Sequence, residues 1–160
     1  MQDQFEIRPA RPQDVDAIQS CATEAFQQYV AAIGKKPAPM VADFAALIDA
    51  GHVYVAVQSP DRSLDQPPGN LLGYIVFFRS DTVVELENIA VRPSATGRGV
   101  GKALIQFCED SARQGGAQAV ALYTNAKMVE NLAIYPHLGY QEIARRREDG
   151  FDRVFFKKTL

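Results

Sequence analysis

Apolar and polar positions alternate along this chain in two periods, one strand-like and one helix-like, and the switches between them mark its elements. Phe5 to Arg8 reads as a short strand stopped at Pro9, and Pro12-Gln13-Asp14 as a helix start, with proline and acid in the first turn. That helix gathers Val15, Ile18, Cys21, Ala22, Ala25, Phe26 and Tyr29 near one face and loses its period by Gly34. Lys35-Lys36-Pro37-Ala38-Pro39 is a stiff basic connection, since each proline fixes its own φ and restricts its neighbour. A second helix, with Met40, Val41, Phe44, Leu47 and Ile48 apolar, stops at Gly51. His52 to Val57 is a nearly unbroken β-branched and aromatic run, which predicts a strand buried on both faces.

Ser59 to Asn70, rich in proline, glycine, serine and aspartate, reads as an exposed turn within one domain. Leu71 to Arg79 and Thr82 to Val91 are strands joined at Ser80-Asp81, which makes an antiparallel meander of three. Val100, Ala103, Leu104, Phe107 and Cys108 have helical spacing, in a helix running to Gln114 and ended by Gly115-Gly116. Ala119 to Tyr123 is then a strand parallel to the one before the helix, completing a βαβ unit. Asn125 is expected to cap a helix that continues through Tyr135 and halts at Pro136. Tyr140 to Arg145 and Phe151 to Lys158, joined at Glu148-Asp149-Gly150, close the chain as a hairpin. The pattern predicts a single α/β domain over residues 1–160, with no internal repeat.

Composition narrows the function. A net charge of −2 gives no general reason to expect nucleic acid or an anionic membrane as partner. No apolar run approaches the roughly 18 residues of a membrane span, and Met-Gln-Asp-Gln-Phe lacks a basic region followed by an apolar core. The cytoplasm is the default compartment. Cys21 and Cys108 have no metal-ligand or redox spacing and fall at apolar helix positions, so they read as buried hydrophobes and no metal is expected. His52 opens a strand and His137 ends a helix, and both read as structural. Exposed strand edges permit a homodimer without demanding one.

The candidate chemistry lies in Glu85 to Lys102, where a strand breaks at Arg92-Pro93, passes through glycines 97, 99 and 101, and opens into a helix. A helix N-terminus has backbone N–H groups without intrahelical partners and partial positive charge, so this arrangement predicts a phosphate cradle. It is not a P-loop: Thr96 stands where the first glycine belongs and Ala103 where Ser or Thr belongs. Nor is it a dinucleotide fingerprint, because the last glycine of either frame falls on Lys102 or Leu104.

Thr96-Gly97-Arg98-Gly99-Val100-Gly101 resembles instead the diphosphate-binding motif of the GNAT superfamily of N-acetyltransferases, [Q/R]-x-x-G-x-[G/A], with Thr96 departing at its first position. Tyr135, Gly139 and Tyr140 resemble the end of that family's N-x-x-A-x-x-L-Y-x-x-x-G-[F/Y] segment, whose Asn and Ala fall here on Met128 and Asn131. The resemblance spans nearly the whole chain. It implies a GNAT fold: a central twisted mixed sheet with a meander, splayed parallel strands, flanking helices and a C-terminal hairpin. It also implies acetyl-CoA as co-substrate, its pantetheine arm paired with the backbone of Ile89, Ala90 and Val91. The diphosphate would be held by Thr96 and by Gly97 to Lys102, where Gly99, Val100 and Gly101 offer backbone and Arg98 or Lys102 adds charge.

In such an enzyme an amine attacks the thioester directly, and Tyr135 matches the acid that protonates the leaving thiolate. Asn131, four residues before Tyr135 on one helix face, would orient the cofactor arm or a water. Glu87 is the candidate base, or attracts a cationic amine, or faces solvent; strict alternation puts it with Glu85, opposite Leu86 and Asn88. The acceptor side would be lined by Tyr29, Lys35, Lys36 and Met40 and by Arg145, Arg146, Arg147, Phe151 and Arg153, although Arg145 to Arg147 also read as a solvated hairpin. Tyr29 and Arg153 are the chosen acceptor contacts, for a small amino-acid-like amine. A protein N-terminus or lysine is the alternative acceptor, and a CoA-binding module without turnover the alternative class.

Overall fold

A computed structural model of the chain describes residues 5–58 and 70–160. The turn expected over Ser59 to Asn70 lies almost wholly outside them. Seven strands form one sheet in the order β1-β2-β3-β4-β5-β7-β6. They are β1 (Phe5–Pro9), β2 (Val53–Gln58), β3 (Leu71–Ser80), β4 (Val83–Val91), β5 (Ala119–Asn125), β6 (Gln141–Glu148) and β7 (Phe151–Thr159). The β4–β5 pair is parallel and every other neighbour antiparallel. The meander, the βαβ crossover and the closing hairpin therefore stand where the periodicity places them.

Helices cover both faces. Helix α4 (Val100–Gln114) has the bounds its spacing predicts and packs Leu104, Ile105 and Cys108 against Ile75, Leu86 and Val120 of the sheet. On the opposite face α1 (Val15–Phe26) and α3 (Phe44–Asp49) pack Ile18, Cys21 and Phe44 against Val55, Tyr74 and Val76. Each buried aliphatic or aromatic side chain contributes on the order of 2 kcal/mol, so these two cores hold the layers together. Both cysteines are fully buried, as their apolar positions predict.

Three predicted elements differ. The first helix ends at Phe26; a 3-10 turn over Gln27–Tyr29 and a short α2 (Val30–Ile33) carry the chain on to Gly34, at φ +88°. The second helix begins only at Phe44, because Asp43 accepts a hydrogen bond from the Ala46 N–H at 3.1 Å and caps it; Met40 and Val41 lie in a preceding 3-10 turn. Asn125 does not cap the helix after β5. It is the last residue of that strand, its carboxamide accepts from the Lys127 N–H at 2.9 Å, and α5 (Val129–His137) starts four residues later. A short polar side chain there found its own backbone two residues on, an alternative to a cap.

One irregularity positions the site. Val76 pairs with Asn88 but Phe77 pairs with Leu86, so Glu87 is the extra residue of a β-bulge in β4. The parallel pairing of β4 with β5 also ends there, at Leu86 opposite Leu122. Beyond this point β4 runs on to Val91 along β3 while β5 follows β7, and the two parallel strands part.

Candidate active site

Where β4 leaves β5, one edge of β4 has no strand beside it. The phase of its free groups follows from one hydrogen bond: the Arg92 N–H donates to Leu72 O at 2.8 Å, in register with Tyr74 opposite Ala90. In an antiparallel ladder alternate residues turn both backbone groups to the same neighbour. Asn88, Ala90 and Arg92 therefore face β3, and Ile89 and Val91 present N–H and C=O to the gap. Of the three backbone residues predicted to line the slot, Ala90 is turned away.

The gap opens into two adjoining hollows, one larger than the other. The larger runs from Ile89, Ala90 and Val91 past Thr96, Gly101 and Lys102, with Tyr29 and α5 as further walls. The smaller is lined by Glu87, Asn88, Tyr123, Thr124, Met128 and Arg153, among others. Phe26, Ile89, Asn131 and Tyr135 line both, so the hollows meet at these four residues.

The larger hollow ends at the glycine loop. Gly97 and Gly99 adopt φ +83° and +79°, conformations that side chains with a Cβ rarely hold, and Gly99 delivers the chain into α4. No side chain caps α4 and no acid stands in its first turn, so its N-terminal charge is unopposed. Thr96 donates its hydroxyl to Pro93 O at 2.8 Å, closing the turn before the loop. Lys102 is exposed and lines the hollow. Arg98 instead donates to the Gln58 carboxamide oxygen at 2.8 Å, toward β2, and Val100 is buried in the core, leaving only its backbone to the loop.

Tyr135 sits at the junction, 6% exposed, with its ring against Tyr140 and Phe156. Burial pushes its phenol up to about 12, so it keeps its proton at neutral pH. The hydroxyls of Tyr29, Tyr74, Tyr123 and Tyr140 each have an acceptor, whereas that of Tyr135 has none among the described residues. Asn131 donates to Thr124 Oγ1 at 3.2 Å, one turn from Tyr135.

Glu87 lies at the rim of the smaller hollow. Desolvation by the walls raises its carboxyl above the ordinary value, against the opposing hydrogen bond from Tyr123 and the charge of Arg153. The bulge shifts the alternation: Leu86 packs toward α4 while Asn88, two residues on, points to the other face and accepts from Tyr74 at 3.0 Å. Leu86 and Asn88 thus lie on opposite faces, contrary to strict alternation. Arg153, 8% exposed, lies over the Tyr123 ring at 4.3 Å and is held by Glu148 and Asp149 at 3.3 Å each.

Other expected acceptor contacts fall elsewhere. Tyr29 lines the larger hollow and donates to Glu130 of α5 at 2.5 Å. Met40 is buried in the α1–α3 core. Arg145, Arg146 and Arg147 are exposed and paired with Glu142, Glu148 and Asp152 on the edge hairpin. Lys35 lies 4.1 Å over the Phe151 ring. His52 packs beside Phe78, His137 is exposed, and neither reaches the two hollows. Tyr123 is the residue the pattern missed; two steps from Ala121 on β5 and out of phase with buried Val120 and Leu122, it was placed to face the gap. Among the described residues no cluster of three or more His, Cys, Asp or Glu side chains could hold a metal, and no helix is long and apolar enough to cross a membrane.

Compared by sequence with curated proteins, the chain finds no match. Solved structures share its fold. A PaiA N-acetyltransferase from Thermoplasma acidophilum in complex with coenzyme A aligns over 98% of this chain and 99% of its own, with TM-score 0.74 and 17% identity. The ribosomal-protein-S18-alanine N-acetyltransferase of Escherichia coli aligns over 98% and 94%, with TM-score 0.72 and 19% identity. Ard1 of Thermoplasma volcanium aligns over 98% and 97%, with TM-score 0.73 and 17% identity. The model of the acetyltransferase (GNAT) family matches residues 16–140, and with the splayed strands and glycine cradle in place, the chain belongs to that family.

Proposed function

We propose that the protein moves an acetyl group from acetyl-CoA to the primary amine of a small, amino-acid-like molecule. The observation that carries this reading is the meeting of two hollows at Tyr135, one leading to an anion cradle and the other to Glu87. Likeness to a structure holding coenzyme A supports the donor. The N–H groups at the start of α4, with Lys102, suit the diphosphate, and the free edge at Ile89 and Val91 suits the amides of the pantetheine arm. An N–H of that edge can also stabilise negative charge building on the thioester oxygen.

The acceptor amine enters from the smaller hollow and loses a proton to Glu87, directly or through water. The neutral nitrogen bonds to the acetyl carbon, the C–S bond breaks, and the nitrogen's remaining extra proton leaves through water as the amide forms. Tyr135 gives its proton to the departing sulfur, and exchange with solvent resets both groups. The raised carboxyl of Glu87 makes it a stronger base than a solvated glutamate, and the high phenol value of Tyr135 keeps the acid loaded.

Thiol release from acetyl-CoA over a panel of amino acids, amines and peptides tests the reading. Tyr135→Phe should lower kcat on the order of 100-fold with little change in KM for acetyl-CoA. Tight CoA binding without thiol release for any acceptor would make the chain a CoA-binding module. Turnover of peptides alone would move the acceptor to a protein N-terminus or lysine.

A further inference from the structure

Among the residues lining the smaller hollow, Glu87 is the only acid and Arg153 the only cation. Tyr123 stands between them, with its hydroxyl 3.2 Å from the Glu87 carboxylate and the Arg153 guanidinium over its ring. The guanidinium is secured at one end: Nη1 donates to both Glu148 and Asp149, and the plane is also near Phe151, at 5.6 Å. Its Nε and Nη2 make no hydrogen bond to any described residue, although the side chain is more than nine-tenths buried and lines the hollow. These two donors open into the hollow, since no Arg153 atom is both buried and unpartnered, and a fixed guanidinium fork with free donors matches a carboxylate. Phe26, Met128, Phe151 and Pro37 to Pro39 give the wall an apolar stretch, beside the polar Asn88, Thr124, Asn125 and Asn131.

We infer that the acceptor is a free α-amino acid with an apolar side chain, its carboxylate held by Nε and Nη2 of Arg153 and its amine directed to Glu87. The two charged groups flank a single phenol, a spacing that suits a compact zwitterion, whose side chain then meets the apolar stretch of Phe26, Met128 and Phe151. A peptide N-terminus lacks the free α-carboxylate and leaves the Arg153 donors unpaired. This inference rests on the acetyl-transfer reading, and its test separates the two.

The experiment measures kcat/KM of the wild-type protein, by thiol release, for phenylalanine, phenylalaninamide and phenethylamine. Phenylalanine should exceed both analogues by about 10-fold or more, because each lacks the carboxylate that pairs with the guanidinium fork. Arg153→Met should bring the ratio of phenylalanine to phenethylamine close to one, and Arg153→Lys should restore part of it. Equal wild-type rates for the three compounds, or turnover of peptides in preference to phenylalanine, would overturn the carboxylate clamp and leave acetyl transfer standing. No thiol release with any amine would remove both readings. The wild-type ratio decides even where the Arg153 variants fold poorly.

Discussion

The Tyr123 hydroxyl donates to Glu87 at 3.2 Å across the gap where the two parallel strands part. This bond favours the ionised carboxylate and so opposes the upward push of desolvation on Glu87. Tyr123→Phe removes the donor, and the acidic limb of the kcat/KM profile should move upward, by up to about one pH unit. A pH–rate series on both proteins checks this. An unmoved limb would mean that the limb belongs to another group.

The same carboxyl links activity to stability with opposite signs. Its folded value lies above the ordinary one, so its contribution is fully present below the unfolded carboxylate value and is lost as pH rises through the folded value. Glu87→Gln should therefore be as stable as wild type or slightly more stable at neutral pH, with the difference vanishing in acid. Its kcat should fall on the order of 100- to 10,000-fold. Thermal melts at several pH values, beside acetyl-transfer rates, read the two effects separately.

Gly73 and Gly99 should fail for different reasons. A Cβ at Gly73 would lie 2.7 Å from Ala90 O and 3.3 Å from Val91 Cα, pressing on the segment of β4 that exposes Ile89 and Val91. Gly73→Ala should cost about 1–3 kcal/mol and weaken CoA binding. At Gly99 the space is open but φ is +79°, so Gly99→Ala should cost about 1 kcal/mol through backbone strain alone. Urea titrations with and without CoA rank them, and a greater loss for Gly99→Ala would contradict the packing argument.

Beneath Tyr135 a buried ion pair ties α4 to the last strand. Glu109, 3% exposed, accepts from Tyr140 at 3.0 Å and from Lys158 at 2.9 Å, and Lys158 also donates to Leu138 O. Lys158→Met leaves that carboxylate with only Arg113, at 3.9 Å, as a cation among the described residues and should destabilise by about 1–3 kcal/mol. The double variant with Glu109→Leu should lose less than the single, since no buried charge remains unpaired. Chemical denaturation measures both, and a double variant weaker than Lys158→Met would show that packing outweighs charge at this position.

Local periodicity along the chain determined the order of strands and helices, the bounds of α4 at Val100 and Gln114, and the glycine turn that feeds it. These depend on neighbours a few residues away, where a period of two or 3.6 and a positive φ leave their mark in residue type. Tyr135 was legible only through the resemblance of Tyr135, Gly139 and Tyr140 to a segment of the GNAT family, not through periodicity. The tertiary structure alone decided which faces β4 shows. A bulge at Glu87 arises from pairing with β3, and it resets the faces of Leu86 and Asn88, while the register with β3 turns Ala90 away from the gap. Tyr123 meets Glu87 across 36 positions and Tyr29 meets Glu130 across 101. Alternation specifies a strand's two faces but not its phase against a partner, and that phase is what assembles this site.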